Sequence, residues 1–450
     1  MGAVERADVL VLGGGPAGIQ GSRMIKGARP EWRVLMLRPE AASMVYCAIP
    51  YALEGLIPSA KALKKDELVT GAGVELVREK AVEVDLAARV VTTGEGRSIE
   101  YGNILIATGA DPILPPVPGS HLERVAAVKS EQDMNRLLGF LEEGARRAVV
   151  VGAGAIGIEQ ALAYHKRGLE VHLVDLQERV LPHLLDADMA APAATALEKV
   201  GIHLHLGARL ERLTGNRAVA GVELAGGTKL ELEEGKDFLV FAVGMKAKTD
   251  LFRDQLEIAP EGIVVDARMA TGIPRTWAAG DCTQAVSGID GKPLGGKLAT
   301  NAVPQAKVAA RNILGDPVSY PGIYNGAATV VEDLRFAGTG FTESYARTRG
   351  FEPVAAFGES TSRFPMMPGA RPVRIKLVAD AATGRLIGGQ AWGHEAVAER
   401  IDVITLAIQQ ELKVADLARF SYSSQPWQTF FPAKNAIVEA AERLATGFDH

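Results

Sequence analysis

Cysteine is scarce in this sequence, and its scarcity limits the chemistry that the chain can perform. Only two cysteines, Cys47 and Cys282, occur among the 450 residues. Two thiols so far apart in the chain cannot form the disulfide framework of a small secreted protein. We therefore expect two free thiols in a reducing compartment, each of which either packs as a small apolar side chain or takes part in chemistry.

Long apolar runs and an excess of basic charge are also missing. No apolar run reaches the 18 or so residues that a membrane helix requires, and the N-terminal stretch lacks a signal-peptide layout. With 49 basic and 54 acidic residues the formal net charge is -5, so neither a membrane nor nucleic acid is an expected partner. The length suggests roughly two to four domains. These features predict a cytoplasmic globular protein.

Glycine, in contrast, is abundant, and two glycine clusters follow the same pattern. In "DVLVLGGGPAG" and again in "RAVVVGAGAIG", three glycines separate a buried strand from a helix with apolar periodicity. The glycines are Gly13, Gly15 and Gly18 in the first cluster and Gly152, Gly154 and Gly157 in the second. Such glycines allow the backbone to approach a pyrophosphate, whose charge is held by free N–H groups at the helix start. Two complete copies predict two bound dinucleotides.

An acidic residue near the end of the next strand would bind the ribose hydroxyls of each dinucleotide. Asp175 follows the strand "EVHLV" and stands 18 residues after Gly157. Its carboxylate would repel a 2′-phosphate, so we expect NADH, with NADPH as the alternative. After the first cluster the strand ends at Arg38, and Glu40 comes two residues later. Either Glu40 accepts the ribose or Arg38 packs on the adenosine, and the sequence leaves both open.

The order of these features resembles that of the pyridine nucleotide–disulfide oxidoreductases. The first cluster, "ATGADP" at 107–112, the second cluster, "GDC" at 280–282 and a C-terminal α+β region follow one another along essentially the whole chain. The resemblance implies an α/β fold with two Rossmann-like dinucleotide-binding domains plus a C-terminal α+β dimerisation domain. The implied domains are 1–111 and 246–325 for FAD binding, 112–245 for NAD(P)H binding and 326–450 for the subunit interface.

The resemblance also implies which residues hold the two cofactors. In that family the first glycine cluster, the ATG turn and the aspartate of the GD pair hold FAD. The matching residues here are Gly13, Gly15, Gly18, Thr108, Gly109 and Asp281. The second cluster would hold NADH or NADPH, and Glu159 matches the family's glutamate near the nicotinamide.

The segment "SMVYCAIPYALEG", which begins at Ser43, contains the candidate redox residue, Cys47. It is similar to the Cys-Ala/Gly-x-Pro-Tyr segment of the coenzyme A-disulfide reductases, where a serine often precedes the cysteine. A cysteine at a helix N-terminus favours the thiolate, and Pro50 suits the first helical turn. Such a thiolate can attack a disulfide or persulfide while FAD relays electrons from NADH. Cys282 is expected to be a packing residue.

Several positions bear on the electron acceptor. NADH oxidases and peroxidases of the single-cysteine branch usually carry a histidine where this chain has Pro16. Tyr422 in "FSYSSQPW" matches the tyrosine that reaches the other subunit's cysteine, so it is expected to protonate a leaving thiol within a homodimer. Met366 and Met367 stand where the family often has paired tyrosines, and Tyr46 replaces a common asparagine. These three changes predict a more apolar pocket than coenzyme A requires.

The sequence thus predicts an FAD-dependent NAD(P)H oxidoreductase that reduces a small-molecule disulfide or persulfide through Cys47. Coenzyme A disulfide, coenzyme A persulfide and polysulfide are the expected acceptors, with Ser43 and Tyr46 as substrate contacts. One alternative is an NADH oxidase or peroxidase that works through a cysteine sulfenate. A second is a redox-sensing flavoprotein with little turnover.

Overall fold

Two parallel β-sheets, each containing the strand that precedes one glycine cluster, form the centre of the molecule. The computed structural model describes residues 5–395 and 397–447. Up to residue 112 the elements are β1 (Glu5–Leu12), α1 (Pro16–Ala28), β2 (Val34–Leu37), β3 (Ser43–Met44), α2 (Ile49–Glu54), β4 (Leu63–Lys64), α3 (Glu67–Thr70), β5 (Glu75–Val77), β6 (Ala81–Asp85), β7 (Val90–Thr93), β8 (Ser98–Ile106) and β9 (Ala110–Pro112). From residue 125 to 247 they are β10 (Val125–Ala127), α4 (Glu131–Glu142), β11 (Arg147–Val151), α5 (Ala155–Lys166), β12 (Glu170–Val174), α6 (Ala187–Lys199), β13 (His203–His205), β14 (Leu210–Thr214), β15 (Gly221–Leu224), β16 (Lys229–Glu231), β17 (Phe238–Phe241) and β18 (Met245–Ala247).

The rest of the chain returns to the first sheet and then builds a separate antiparallel sheet. The elements that follow are β19 (Ile258–Ala259), β20 (Gly262–Val264), β21 (Thr276–Ala278), β22 (Thr283–Val286), β23 (Pro293–Leu294) and α7 (Ala299–Ile313). The C-terminal elements are β24 (Ala327–Val331), β25 (Leu334–Gly340), α8 (Glu343–Thr348), β26 (Pro353–Thr361), β27 (Pro372–Asp380), β28 (Leu386–Gly393), α9 (Val397–Gln409), α10 (Val414–Leu417) and α11 (Ala436–Ala445). Within the described ranges, no helix is both long and apolar enough to cross a membrane.

The first sheet has the parallel order β5-β2-β1-β8, and β21 pairs with the C-terminal end of β8. Its central strand β1 is buried on both faces, as expected when helices or loops cover both sides of a parallel sheet. Leu10 and Leu12 pack into one apolar cluster, while Val9 and Val11 pack into another that includes residues of α1 and α7. The carboxyl end of β1 therefore opens directly onto the first glycine cluster.

The second sheet has the parallel order β10-β17-β11-β12-β13. Alternate residues of β11 face opposite sides, so Val150 packs with residues of α4, α5 and α6, while Val149 packs with residues of the antiparallel β14-β15-β16 sheet. The chain enters and leaves this sheet through β9 and β18, which pair antiparallel with each other. The two sheets confirm the predicted α/β fold with two dinucleotide-binding units.

The C-terminal region is an antiparallel sheet of order β24-β25-β28-β27-β26, and α9 and α11 contribute to its apolar core. This confirms the predicted α+β domain. A buried charged cluster joins this sheet to the beginning of α6. Lys376 on β27 is 1% exposed and forms ion pairs with Asp186 at 3.2 Å, Asp188 at 2.8 Å and Glu343 at 2.6 Å. Because a buried ammonium requires such partners, this cluster fixes the antiparallel sheet against the second parallel sheet.

Candidate active site

The first glycine cluster forms a tight turn that leaves open space at the start of α1. Gly13 has a φ of +112°, and a Cβ atom there would lie 2.2 Å from the carbonyl oxygen of Ala107. A Cβ on Gly18 would lie 1.9 Å from the carbonyl oxygen of Gly13, so only glycine allows α1 to pack this closely on the turn. Around Gly15, in contrast, a Cβ would meet no atom within 4 Å. A space that a side chain would fill, next to free helix N–H groups, fits a pyrophosphate.

The second glycine cluster has the same geometry. Gly152 has a φ of +112°, and its Cβ would lie 2.4 Å from the carbonyl oxygen of Ala242. A Cβ on Gly157 would lie 1.8 Å from the carbonyl oxygen of Gly152, while Gly154 again faces open space. Both turns therefore have the residues and the room that a dinucleotide needs.

Asp175 follows β12, and its carboxylate is fixed against the second turn. One carboxylate oxygen accepts a hydrogen bond from the backbone N–H of Ala153 at 2.6 Å, and the other accepts one from that of Gln177 at 2.7 Å. The residue is only partly buried, and both hydrogen bonds hold it beside the glycine turn. This position is consistent with the predicted ribose contact.

Arg38 and Glu40, which the sequence left as alternatives, have different surroundings. Arg38 is 2% exposed, lies under Gly14 and donates hydrogen bonds to the carbonyl oxygens of Glu40 and Ala41 and to Asp66 at 2.7 Å. Its guanidinium is thus engaged within the protein. The Glu40 side chain is exposed beyond the end of β2, where its carboxylate can accept hydrogen bonds.

The ATG turn and the aspartate of the GD pair meet at the carboxyl ends of β8 and β21. Thr108 donates its hydroxyl proton to the carbonyl oxygen of Lys248 at 2.8 Å, and Gly109 has a φ of +74°, so this turn anchors the chain that returns from the second sheet. Asp281 accepts a hydrogen bond from the ammonium of Lys129 at 3.1 Å. Burial lowers the pKa of Lys129, and the carboxylate of Asp281 opposes that shift.

Cys47 is exposed and lies in a short 3-10 turn, Tyr46–Ala48, that leads directly into α2. The apolar face of α2 packs into the core of the second sheet, where Leu53 is fully buried. Arg167, which follows α5, donates a hydrogen bond to the carbonyl oxygen of Leu53 at 2.7 Å. A segment between β2 and β5 of the first sheet is thus fixed against α5, the helix of the second dinucleotide turn, so the Cys47 segment links the two units.

Ser43 and Tyr46, on the same segment as Cys47, have different surroundings. The hydroxyl of Ser43 is buried and has no hydrogen-bond partner among the described residues. Burial and the carboxylates of Glu40 and Asp281 raise the pKa of Tyr46 to about 12, so its phenol stays neutral. The Lys129 ammonium lies 5.0 Å from the centre of the Tyr46 ring. Tyr46 therefore connects the thiol segment with the site of Asp281.

Glu159 points into the junction of α5, α2 and β24. Its carboxylate accepts a hydrogen bond from the hydroxyl of Thr329 at 2.8 Å, and its neighbours include Tyr51 of α2. Burial raises the pKa of Glu159, and the Thr329 hydroxyl opposes that shift. This places the carboxylate on the side of the second turn that faces the Cys47 helix.

Replacing Thr329 by valine is expected to destabilise the protein more at pH 8 than at pH 5. Without the hydroxyl the pKa of Glu159 rises further, so the folded state binds more protons than the unfolded state above the ordinary carboxyl pKa. Stability then falls as the pH rises through the raised pKa, by about 1 to 2 kcal/mol for the lost hydrogen bond. Thermal unfolding at both pH values measures the difference. Thr405→Val removes a hydroxyl bonded to Thr339 and should give equal losses at both pH values.

Cys282 has the packing role that the sequence predicted. It is 0% exposed, and its thiol lies 3.4 Å from the carbonyl oxygen of Ala279 and 3.6 Å from that of Ile106. Burial raises the pKa of this thiol, which suppresses the reactive thiolate. Cys47 is thus the accessible thiol of the chain.

Tyr422 lies in an extended C-terminal segment and is 39% exposed. Its hydroxyl donates a hydrogen bond to the carbonyl oxygen of Pro432 at 2.8 Å. The same segment is joined to the methionine segment, because the N–H of Phe364 donates to the carbonyl oxygen of Pro426 at 2.9 Å. Met366 and Trp427 are 68% and 49% exposed, so these two segments present an apolar surface.

Sequence reasoning missed three side chains of this region. Thr329, Lys129 and Lys64 touch or face predicted site residues, yet they come from β24, the loop between β10 and α4, and β4. No spacing rule connects them with the glycine clusters or with Cys47. Lys64 itself stands in a charged stretch with Lys61, Lys65 and Asp66, so its identity gave no signal.

Two dinucleotide turns that flank one exposed thiol define an oxidoreductase with two nucleotide cofactors. Residues 7–309 match the pyridine nucleotide-disulphide oxidoreductase family, and residues 327–426 match the dimerisation domain of that family. The chain therefore belongs to the pyridine nucleotide-disulphide oxidoreductase family, as its sequence predicted. It is an FAD-dependent NAD(P)H oxidoreductase.

Individual relatives are similar over almost their whole length. An NADH oxidase of Methanocaldococcus jannaschii is 31% identical, with 97% of this chain and 99% of the relative covered. A CoA-dependent NAD(P)H sulfur oxidoreductase of Pyrococcus furiosus is 30% identical, with 98% and 100% covered. Among solved structures, an NAD-dependent persulfide reductase from A. fulgidus superimposes with a TM-score of 0.93 at 28% identity, covering 98% of this chain and 83% of that one.

Proposed function

We propose that the enzyme reduces a small disulfide or persulfide with NADH through Cys47, and that it does so as a homodimer. The observation that carries this proposal is the exposed thiol held between two dinucleotide turns, while the other thiol is buried. The relatives named as sulfur and persulfide reductases support it. Pro16, at the start of α1, provides no titratable group where oxidases and peroxidases of the branch usually have histidine.

The proposed cofactor sites follow from the two turns. Residues 1–111 and 246–325 would bind FAD, with the pyrophosphate at Gly15, the ribose at Glu40 and the ribityl hydroxyls at Asp281. Residues 112–245 would bind NADH, with the pyrophosphate at Gly154 and the ribose at Asp175. When bound, FAD supplies the route by which two electrons pass from the nicotinamide to sulfur.

Cys47 would perform the sulfur chemistry. Its thiolate attacks a sulfur of the acceptor, so that a bond from Sγ to that sulfur forms while the acceptor's S–S bond breaks. The second sulfur of the broken bond takes the electron pair and leaves as a thiolate. Its departure is easier when a nearby group can donate a proton to it. Ser43 and Tyr46 would contact the acceptor, since both lie on the segment that carries the thiol.

A second copy of the chain would supply the proton. The exposed surface formed by Met366, Tyr422 and Trp427 belongs to the region that matches a dimerisation domain, or directly follows it. In the proposed homodimer, Tyr422 of one subunit faces Cys47 of the other. Its hydroxyl gives up the hydrogen bond to the carbonyl oxygen of Pro432 and donates instead to the leaving thiolate. A neutral phenol can donate this proton at physiological pH.

An NADH oxidase is the second candidate function, because the relative from M. jannaschii carries that name. In that case Cys47 would cycle through a sulfenate, and oxygen or peroxide would be the acceptor. The two candidates share the fold, both cofactors and the thiol, so only the acceptor distinguishes them.

Steady-state NADH oxidation by the purified holoenzyme separates these candidates. We expect coenzyme A disulfide, coenzyme A persulfide or polysulfide to give a higher kcat/KM than peroxide or oxygen. The reason is that this chain has Pro16 at the position where oxidases and peroxidases of the branch usually have histidine. NADH should be preferred over NADPH in the same assay, because the Asp175 carboxylate repels a 2′-phosphate. Faster turnover with oxygen or peroxide would favour the oxidase, and a lack of saturable turnover with every acceptor would favour a redox sensor.

A further inference from the structure

A two-stranded antiparallel ladder lies beside the thiol segment. In this ladder Ser43 is paired with Lys64, and Met44 is paired with Leu63. Directly opposite residues of an antiparallel pair share one face, and neighbouring pairs alternate between faces. Met44 and Leu63 pack into the same apolar core as Leu53 of α2. Ser43 and Lys64 therefore lie together on the opposite face, away from that core.

The Ser43 hydroxyl lacks a hydrogen-bond partner in this position. The residue is 6% exposed, and no described group of the protein accepts from or donates to its Oγ atom. Buried hydroxyls are almost always hydrogen-bonded, so an unpaired one requires an explanation. A ligand that carries an acceptor atom would provide the missing partner.

Lys64 is a second group without a partner on this face. It is partly buried, and within the described ranges no carboxylate or carbonyl oxygen pairs with its ammonium, whereas Lys61 and Lys65 nearby are exposed. Burial lowers the pKa of Lys64, and the negative charge of an ionised Cys47 opposes that shift. The ammonium is thus within electrostatic reach of the thiol and free to meet an anion.

We propose that Ser43 and Lys64 form an anion subsite beside Cys47, which binds the negatively charged terminal sulfur of a persulfide or polysulfide. This inference rests on the proposed function and specifies the substrate class of that site. Inorganic polysulfide and coenzyme A persulfide both carry such a terminus, whereas the bridging sulfurs of coenzyme A disulfide are neutral. The subsite therefore selects the persulfide class over neutral disulfides.

The charge of the subsite matters because two anions must meet. The Cys47 thiolate attacks the terminal sulfur, the Sγ–S bond forms, and the bond from that sulfur to the rest of the acceptor breaks. The electron pair leaves with the rest of the acceptor as a thiolate, and Cys47 becomes a persulfide whose terminal sulfur keeps its negative charge. Total charge and atoms are conserved. The Lys64 ammonium offsets the repulsion between thiolate and acceptor, and Ser43 donates a hydrogen bond to the terminal sulfur.

Alkylation of Cys47 tests the charge of the subsite without any turnover. Iodoacetate and iodoacetamide both react with a thiolate, but only the first is an anion. In the NADH-reduced and desalted holoenzyme, we expect Lys64→Gln to lower the ratio of the iodoacetate rate to the iodoacetamide rate about tenfold, as loss of one charge at short range implies. Lys64→Arg and the neighbouring control Lys65→Gln should keep the ratio within about twofold. Peptide mass spectrometry assigns the label to Cys47.

Acceptor kinetics then test the substrate class. With Lys64→Gln we expect kcat/KM to fall about tenfold for sodium tetrasulfide and coenzyme A persulfide, but less than about twofold for coenzyme A disulfide. Ser43→Ala should cause a smaller loss with the same selectivity. Equal losses for all three acceptors, or an unchanged alkylation ratio, overturn the subsite. If the ratio falls while wild-type enzyme reduces no sulfur acceptor, the subsite stands as an anion site and the proposed function is wrong.

Discussion

Cys47→Ser is expected to abolish NADH-dependent reduction of every sulfur acceptor, with a loss in kcat of at least about 10³-fold. A serine hydroxyl ionises far less readily than a thiol and cannot form the mixed disulfide or persulfide. The remaining thiol cannot take over this role, because Cys282 is fully buried and burial raises its pKa. Steady-state kinetics with coenzyme A disulfide and polysulfide measure the loss.

Two controls make this result specific. FAD content and NADH affinity should be unchanged in Cys47→Ser, since the side chain is exposed and lies outside both glycine turns. Cys282→Ala should retain turnover with sulfur acceptors, at the cost of a small buried cavity. Unchanged rates in Cys47→Ser, or an equal loss in Cys282→Ala, would contradict a mechanism centred on Cys47.

The dinucleotide turns could be predicted from sequence because their requirements are local. The third glycine of each turn must let a helix contact the preceding strand end, and the distances of 1.9 Å at Gly18 and 1.8 Å at Gly157 show why no larger residue fits. Strand, turn and helix follow one another within about 25 residues, so the chain order alone reveals the unit. The antiparallel C-terminal sheet was similarly indicated by its alternating strands.

The surroundings of the thiol could not be predicted in the same way. Arg38 was left open because its partner, Asp66, belongs to a different element 28 residues later. Lys64 reaches the face of Ser43 only because a two-residue ladder pairs them, and strands this short leave no periodic pattern. The proposed role of Tyr422 depends on a second copy of the chain, which no intrachain pattern reports.

The second glycine turn provides the clearest separation between folding and cofactor binding. Gly157→Ala is expected to destabilise the NAD(P)H-binding unit by about 3 kcal/mol or more, because the added Cβ would lie 1.8 Å from a backbone oxygen and must push α5 away from β11. Gly154→Ala is expected to leave the fold intact, because its Cβ would meet no protein atom within 4 Å. That Cβ would instead occupy the space proposed for the pyrophosphate, so KM for NADH should rise at least about tenfold.

Thermal unfolding and NADH kinetics of the two variants, measured together, distinguish these effects. Gly139→Ala in α4 is the matched control, since its Cβ also meets no atom within 4 Å and the position lies in a helix of the same unit. Alanine is favoured over glycine inside helices by up to about 1 kcal/mol, so this variant should be slightly more stable and bind NADH normally. Normal NADH binding by Gly154→Ala would place the pyrophosphate elsewhere, and the space beside Gly154 would then be only a feature of the turn.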